Sequence, residues 1–116
     1  MMQIFNRHGT EITGRVIGQE TRGVPRGAGQ RDHIVSRLRE LDVSQSELAD
    51  VTMNAARQAW GEAGTIRLPN GDIAVVPGQP KVKDTFVIKP DGTIDLRKSI
   101  RHWDDETKQM TIEWLD

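Results

Sequence analysis

Two short segments, Leu68-Pro69-Asn70-Gly71-Asp72-Ile73 and Lys89-Pro90-Asp91-Gly92-Thr93-Ile94, constrain the fold of this chain more than any other feature of its sequence. In each, proline presets the first turn dihedral, Asn or Asp tolerates the second, and glycine supplies a positive φ that a β-carbon opposes. Apolar residues alternate on either side, so each segment reads as the turn of an antiparallel hairpin with Asn70-Gly71 or Asp91-Gly92 at its tip. The turns lie 21 residues apart, with Ile73 matching Ile94 and Val75 matching Leu96. That spacing suits a duplicated hairpin, although the frequency of Pro-Asx-Gly in turns accounts for the likeness more simply. A further hairpin is expected from Ile100-Arg101-His102-Trp103, an acidic turn from Asp104 to Lys108, and Met110-Thr111-Ile112-Glu113-Trp114, whose period of two places Met110, Ile112 and Trp114 on one face. Asn6-Arg7-His8-Gly9, with Ile4 and Phe5 before it and Ile12, Val16 and Ile17 after it, predicts one more over residues 2–17.

Helical spacing is confined to the middle of the chain. Over residues 31–41, Ile34, Leu38 and Leu41 form one stripe, while His33, Arg37 and Glu40 share another face. Ser44-Gln45-Ser46-Glu47 is a capping box, with Val43 and Leu48 placed as a hydrophobic staple, and it opens a second helix over 44–62. Its stripe is Leu48, Val51, Thr52, Ala55, Ala56, Ala59 and Ala63, and its glycine-bounded end falls between Gly61 and Gly64. An alanine-rich face of this kind suits close approach to a sheet. Residues 18–30 carry four glycines and two arginines among polar residues and no periodicity, so they read as a basic loop. The expected architecture is α+β: a single domain over 1–116, with an antiparallel sheet of Gly-terminated hairpins, those of 65–115 prominent among them, packed on a two-helix hairpin.

Composition narrows the chemistry. With 116 residues the length suits one core, and two phenylalanines, three tryptophans and no tyrosine leave that core to aliphatic side chains. The absence of cysteine removes disulfides, thiolate catalysis and Cys-type zinc sites. No apolar run approaches the roughly 20 residues of a membrane span, and Met1-Met2-Gln3-Ile4-Phe5-Asn6 lacks the regions of a signal peptide, so a cytoplasmic protein without a membrane partner is expected. The net charge of −1 divides unevenly: residues 1–39 hold seven Arg against Glu11, Glu20 and Asp32, whereas residues 40–116 hold nine Lys or Arg against fourteen acids, or +4 followed by −5. A basic front half suits phosphate or an acidic protein patch, and mutual neutralisation of the two halves within the fold explains it as well.

No constellation specifies a reaction. Gly27-Ala28-Gly29-Gln30-Arg31-Asp32 runs into a helix near Arg22 and Arg26, an arrangement able to hold an anion, but it lacks Gly-Lys-Ser/Thr and has Asp32 where a dinucleotide fingerprint requires glycine. No cofactor is expected. His8, His33 and His102 lie in separate elements without paired-ligand spacing, so no metal is expected either. His33 and Arg37, with Lys83 and Thr85 on a later strand, are the residue types a metal-independent ribonuclease would use, histidine to move the 2′-OH proton and arginine to hold the phosphate. A solvated face of an amphipathic helix has the same composition.

Leu38-Arg39-Glu40-Leu41-Asp42-Val43-Ser44-Gln45-Ser46-Glu47-Leu48-Ala49 resembles the opening of repressor-type helix-turn-helix domains, in which a Ser-Gln-x-Glu-Leu-Ala helix precedes the turn. The resemblance covers about a dozen residues and implies a DNA-binding helix pair. That family then needs a glycine-containing turn and a recognition helix, whereas Asp50 to Arg57 continue the same apolar stripe. By elimination, the expected function is that of a small non-enzymatic binding protein, of the kind found as an accessory, inhibitor or immunity-type protein of a phage or mobile element. Its partner is expected to be another protein, met through Arg22, Arg26, Arg31, Met53 and Trp60. A nucleic-acid-binding protein using the basic loop and helical pair, and a small ribonuclease toxin domain, are the alternatives.

Overall fold

The computed structural model describes residues 13–77 and 84–115. Three helices, α1 (Gly14–Arg22), α2 (Ala28–Leu38) and α3 (Gln45–Trp60), precede five strands, β1 (Ala63–Arg67), β2 (Ile73–Pro77), β3 (Asp84–Ile88), β4 (Ile94–Asp104) and β5 (Gln109–Trp114). The strands form one antiparallel meander in the order β1-β2-β3-β4-β5. The fold is therefore α+β with helices packed on a sheet of hairpins. Both Pro-Asx-Gly turns sit where their chemistry requires, between β1 and β2 and between β3 and β4, with φ of 93° at Gly71 and 87° at Gly92. Asn70 Oδ1 accepts from the Asp72 N–H and Asp91 Oδ1 from the Thr93 N–H, both at 3.0 Å, so each Asx side chain closes its own turn.

The helical part corrects the sequence reading. Residues 14–22 are helix, where Val16 and Ile17 were expected to extend a strand and 18–22 to begin a loop; the remainder of the 2–17 hairpin lies outside the described residues. Two causes combine. Thr13 is an N-cap whose Oγ1 accepts from the Val16 N–H, and Gly14 and Gly18 are contact points against α3. A β-carbon on Gly14 would stand 2.5 Å from the Val51 carbonyl oxygen, and one on Gly18 would stand 2.3 Å from Gln58 Cβ and 2.7 Å from the Ala55 carbonyl oxygen. Glycine disfavours an isolated helix by about 1 kcal/mol relative to alanine, which conceals α1 in the sequence. Here the lack of a side chain lets the two helix backbones meet, and Ile17, fully buried, enters the core beside them. The expected loop over 18–30 shrinks accordingly to residues 23–27, because α2 begins at Ala28, ahead of residue 31, and ends at Leu38, with Leu41 packed on the core from beyond it.

Helix α3 starts at its capping box, Ser44 Oγ accepting from the Glu47 N–H at 3.3 Å, and ends at Trp60, two residues before the expected end. Ala63 belongs to β1 instead. Leu48, Val51, Thr52, Ala55 and Ala56 of the alanine-rich stripe are buried and Ala59 partly so, and the helix packs on α1 as well as on β1, β2 and β3. The core between helices and sheet joins Ile17, Ile34, Leu38, Leu48 and Val51 to Val75, Phe86, Ile88 and Ile94. Phe86 is its largest fully buried side chain and stacks on Trp60 with ring centroids 6.0 Å apart. Burying such a ring stabilises the fold by roughly 1.5–3 kcal/mol. At the first residue of α3, Gln45 Nε2 donates to the carbonyls of Gly71 at 2.8 Å and Ile88 at 2.9 Å, tying the helix start to the ends of two hairpins.

The other sheet face is covered too. Ala74, Val76 and Val87 are buried there, and the hydroxyls of Thr85 and Ser99, both buried, share a 2.7 Å hydrogen bond. The sheet curls on this side, bringing Arg101 of β4 and Met110 of β5 to a hollow that Gly64 and Ile66 of β1 also line. Burial pushes the Arg101 guanidinium below its ordinary value.

Candidate functional site

Four of the five residues expected to meet a partner surround one hollow of about 580 Å³, formed by the end of α1, the connector, the start of α2 and the end of α3. Arg22 is the last residue of α1, Arg26 lies in the connector, Arg31 follows in the first turns of α2, and Trp60 closes α3. Met53 is not among them; it packs half-buried against the core from α3. The arrangement depends on Gln30, which the sequence reading passed over as part of a loop. Its Nε2 donates to the carbonyls of Thr21 at 3.4 Å and Val24 at 3.3 Å, and its Oε1 accepts from Trp60 Nε1 at 3.4 Å, linking the end of α1, the connector and the end of α3.

The three arginines differ in electrostatic state. Arg31 is half-buried and forms an ion pair with Asp84 at the start of β3. Arg22 and Arg26 are exposed and have no ion-pair partner among the described residues. Helix α2 opens at Gly27 without a side-chain cap and with no acidic residue in its first turn, so the positive end of its dipole adds to the same field. The result is a concave basic corner with an indole in its wall. A larger hollow of about 820 Å³ lies between α2 and β4, but Asp32, Glu40 and Asp95 oppose Arg39 and Arg97 within it, so its charges are mixed and it lacks the one-sided field of the basic corner.

The set proposed for ribonuclease chemistry is arranged otherwise. Glu20 of α1 receives Arg37 Nε at 3.0 Å and stands 3.4 Å from His33 Nε2, and Arg37 Nη1 also donates to Glu40 at 2.9 Å. His33, Arg37 and Glu40 thus share a face as expected, and Glu20 makes that face a tie between α1 and α2. Thr85 is buried on the sheet face turned away from the helices and bonded to Ser99, so it does not join them, and Lys83 lies outside the described residues. His102 pairs with Glu113 at 2.8 Å, and His8 lies outside the described residues. No group of three or more potential metal ligands occurs among the described residues. In the acidic turn, Asp104 Oδ1 accepts from the N–H groups of Glu106 and Thr107, and these bonds hold its carboxyl below the usual range. The turn consumes that carboxylate internally.

No protein-family model matches the chain, and neither the curated proteins nor the solved structures yield a match to it. No helix among the described residues is long and apolar enough to cross a membrane.

Proposed function

We propose that the protein is a non-enzymatic binding module that meets an acidic surface of another protein through the corner formed by Arg22, Arg26, Arg31 and Trp60. The observation that carries this reading is the pair of exposed arginines, Arg22 and Arg26, without ion-pair partners among the described residues, at a hollow whose wall Gln30 braces. Exposed charges of this kind steer association and discriminate partners, and an aromatic wall adds contact area at small entropic cost. A protein partner is favoured over nucleic acid because the basic surface is one compact corner, whereas residues 40–116 carry a net −5 that repels an extended phosphate chain. An inhibitor or immunity-type role in a phage or mobile element falls within this reading.

The test is capture from host lysate with the wild-type protein and with an Arg22→Glu, Arg26→Glu variant, each with and without nuclease treatment. The expected result is an acidic protein that survives nuclease, is released by added salt, and is lost from the charge-reversed bait while the bait's melting temperature is nearly unchanged. Equal capture by both baits would remove the basic corner from the interface. Capture abolished by nuclease would establish the nucleic-acid reading in its place.

A further inference from the structure

The two edges of the sheet are finished differently. At β1, the pairing of the Leu68 N–H with the Asp72 carbonyl fixes the hydrogen-bonding phase, so Ala63, Thr65 and Arg67 direct their backbone groups away from β2. The outward carbonyl of Ala63 is taken by Arg57 Nε at 3.2 Å, and α3 packs beside the strand. At β5, the bond from the Leu115 N–H to the Lys98 carbonyl sets the phase in the same way: Gln109, Thr111 and Glu113 bond to β4, while Met110, Ile112 and Trp114 turn their backbone groups outward. Among the described residues no hydrogen bond reaches that edge. It holds no proline, and its one charged side chain, Glu113, pairs with His102. Among the described residues, the devices that ordinarily blunt an edge strand are therefore missing.

The same phase makes the edge complementary to itself. Met110, Ile112 and Trp114 share one sheet face, so an antiparallel copy in register about Ile112 sets Ile112 against Ile112 and Met110 against Trp114. All three outward residues then fall at hydrogen-bonded positions, giving about six N–H···O bonds at two per pair. Glu113 faces Thr111 of the other copy, so no like charges meet. The exposure of Met110 at 38% and Trp103 at 56%, which face each other across β4 and β5, continues the apolar stripe toward the hairpin tip. We infer that β5 pairs with β5 of a second copy of this chain, joining two sheets across a two-fold axis at Ile112.

Because the chain contains no cysteine, an introduced thiol reports its own surroundings alone. In this register the two residues at position 112 lie directly opposite, about 5.5 Å apart at Cα, within disulfide reach, whereas those at 111 are offset along the strands beyond it. An Ile112→Cys variant under mild oxidation should give a covalent dimer, and Thr111→Cys should give little. Sedimentation equilibrium of the wild type at micromolar concentration should return twice the 13.0 kDa chain mass. An Ile112→Pro substitution removes an outward N–H and leaves the β4–β5 ladder intact, so it should weaken association at least tenfold with an unchanged circular dichroism spectrum. A monomeric wild type, or equal cross-linking at 111 and 112, would overturn the proposal; so would a persistent dimer in a folded Ile112→Pro protein. Should that variant misfold, the two cysteine variants decide the matter alone.

Discussion

Helix α1 and the two Pro-Asx-Gly turns both depend on glycine, for opposite reasons. At Gly71 and Gly92 glycine is needed for what its own backbone does, a φ near 90° that a side chain resists. At Gly14 and Gly18 the backbone is ordinary helix, and glycine is needed for what lies across from it, the backbone of α3. The first requirement is local and travels with a tetrapeptide. The second exists only once α3 is in place, about 40 residues further along the chain.

The strongest way to break this comparison is to add one methyl group to α1. At an exposed helical position Gly→Ala stabilises by up to about 1 kcal/mol. At Gly18 the added carbon meets the Ala55 carbonyl and Gln58 Cβ, neither a freely moving chain end, so Gly18→Ala should reverse the sign and destabilise by about 2 kcal/mol or more in urea unfolding. Gly29→Ala in α2, whose β-carbon would have Val24 Cγ1 at 3.7 Å as its nearest neighbour, is the matched control and should be neutral or stabilising. A neutral Gly18→Ala would mean that α1 does not pack on α3 as described.

The turns should respond less, and through the backbone. Gly71→Val and Gly92→Val should each destabilise by about 1 kcal/mol or more, read by thermal or urea unfolding, because a β-branched residue resists positive φ. An unchanged midpoint in either variant would show that its turn does not require glycine.

The smallest effect sharpens the local side of the comparison. Asp91 is held below its ordinary value of 3.8, first by the Thr93 N–H and then by the Thr93 hydroxyl. A depressed carboxyl contributes stability that is fully present above its unfolded pKa and is lost as pH falls through the folded one. The advantage of the wild type over Asp91→Ala should therefore be constant near neutrality and shrink as pH falls below about 4, while the corresponding advantage over Ser44→Ala should persist through that range. A difference that grows on acidification would contradict this assignment.

These contrasts explain how much was legible. The hairpins over residues 65–115, the acidic turn, the cap at Ser44 and the buried stripe of α3 follow from local chemistry or period, and the structure has them there. Helix α1 was read as strand and loop because Gly14, Gly18 and Gly23 lower helical propensity and leave Val16 and Ile17 as an apolar pair of ambiguous period. At the basic corner, the arginines and Trp60 were recognisable by type, yet their convergence was not, because it depends on where α1 ends and on Gln30. The signal available for Gln30 was only its place between Gly29 and Arg31, at the approach to the expected helix.

Gln45 carries a consequence for the order of events in folding. Its side chain ties the first turn of α3 to carbonyls 26 and 43 residues away, and the two bonds are made together only once both hairpins stand beside the helix. We predict that a contact of such long sequence separation forms after the rate-limiting barrier and is lost early on the way out. Its removal would leave the refolding arm of a chevron in place and raise the unfolding arm, so that Gln45 governs the lifetime of the native state more than the speed of reaching it.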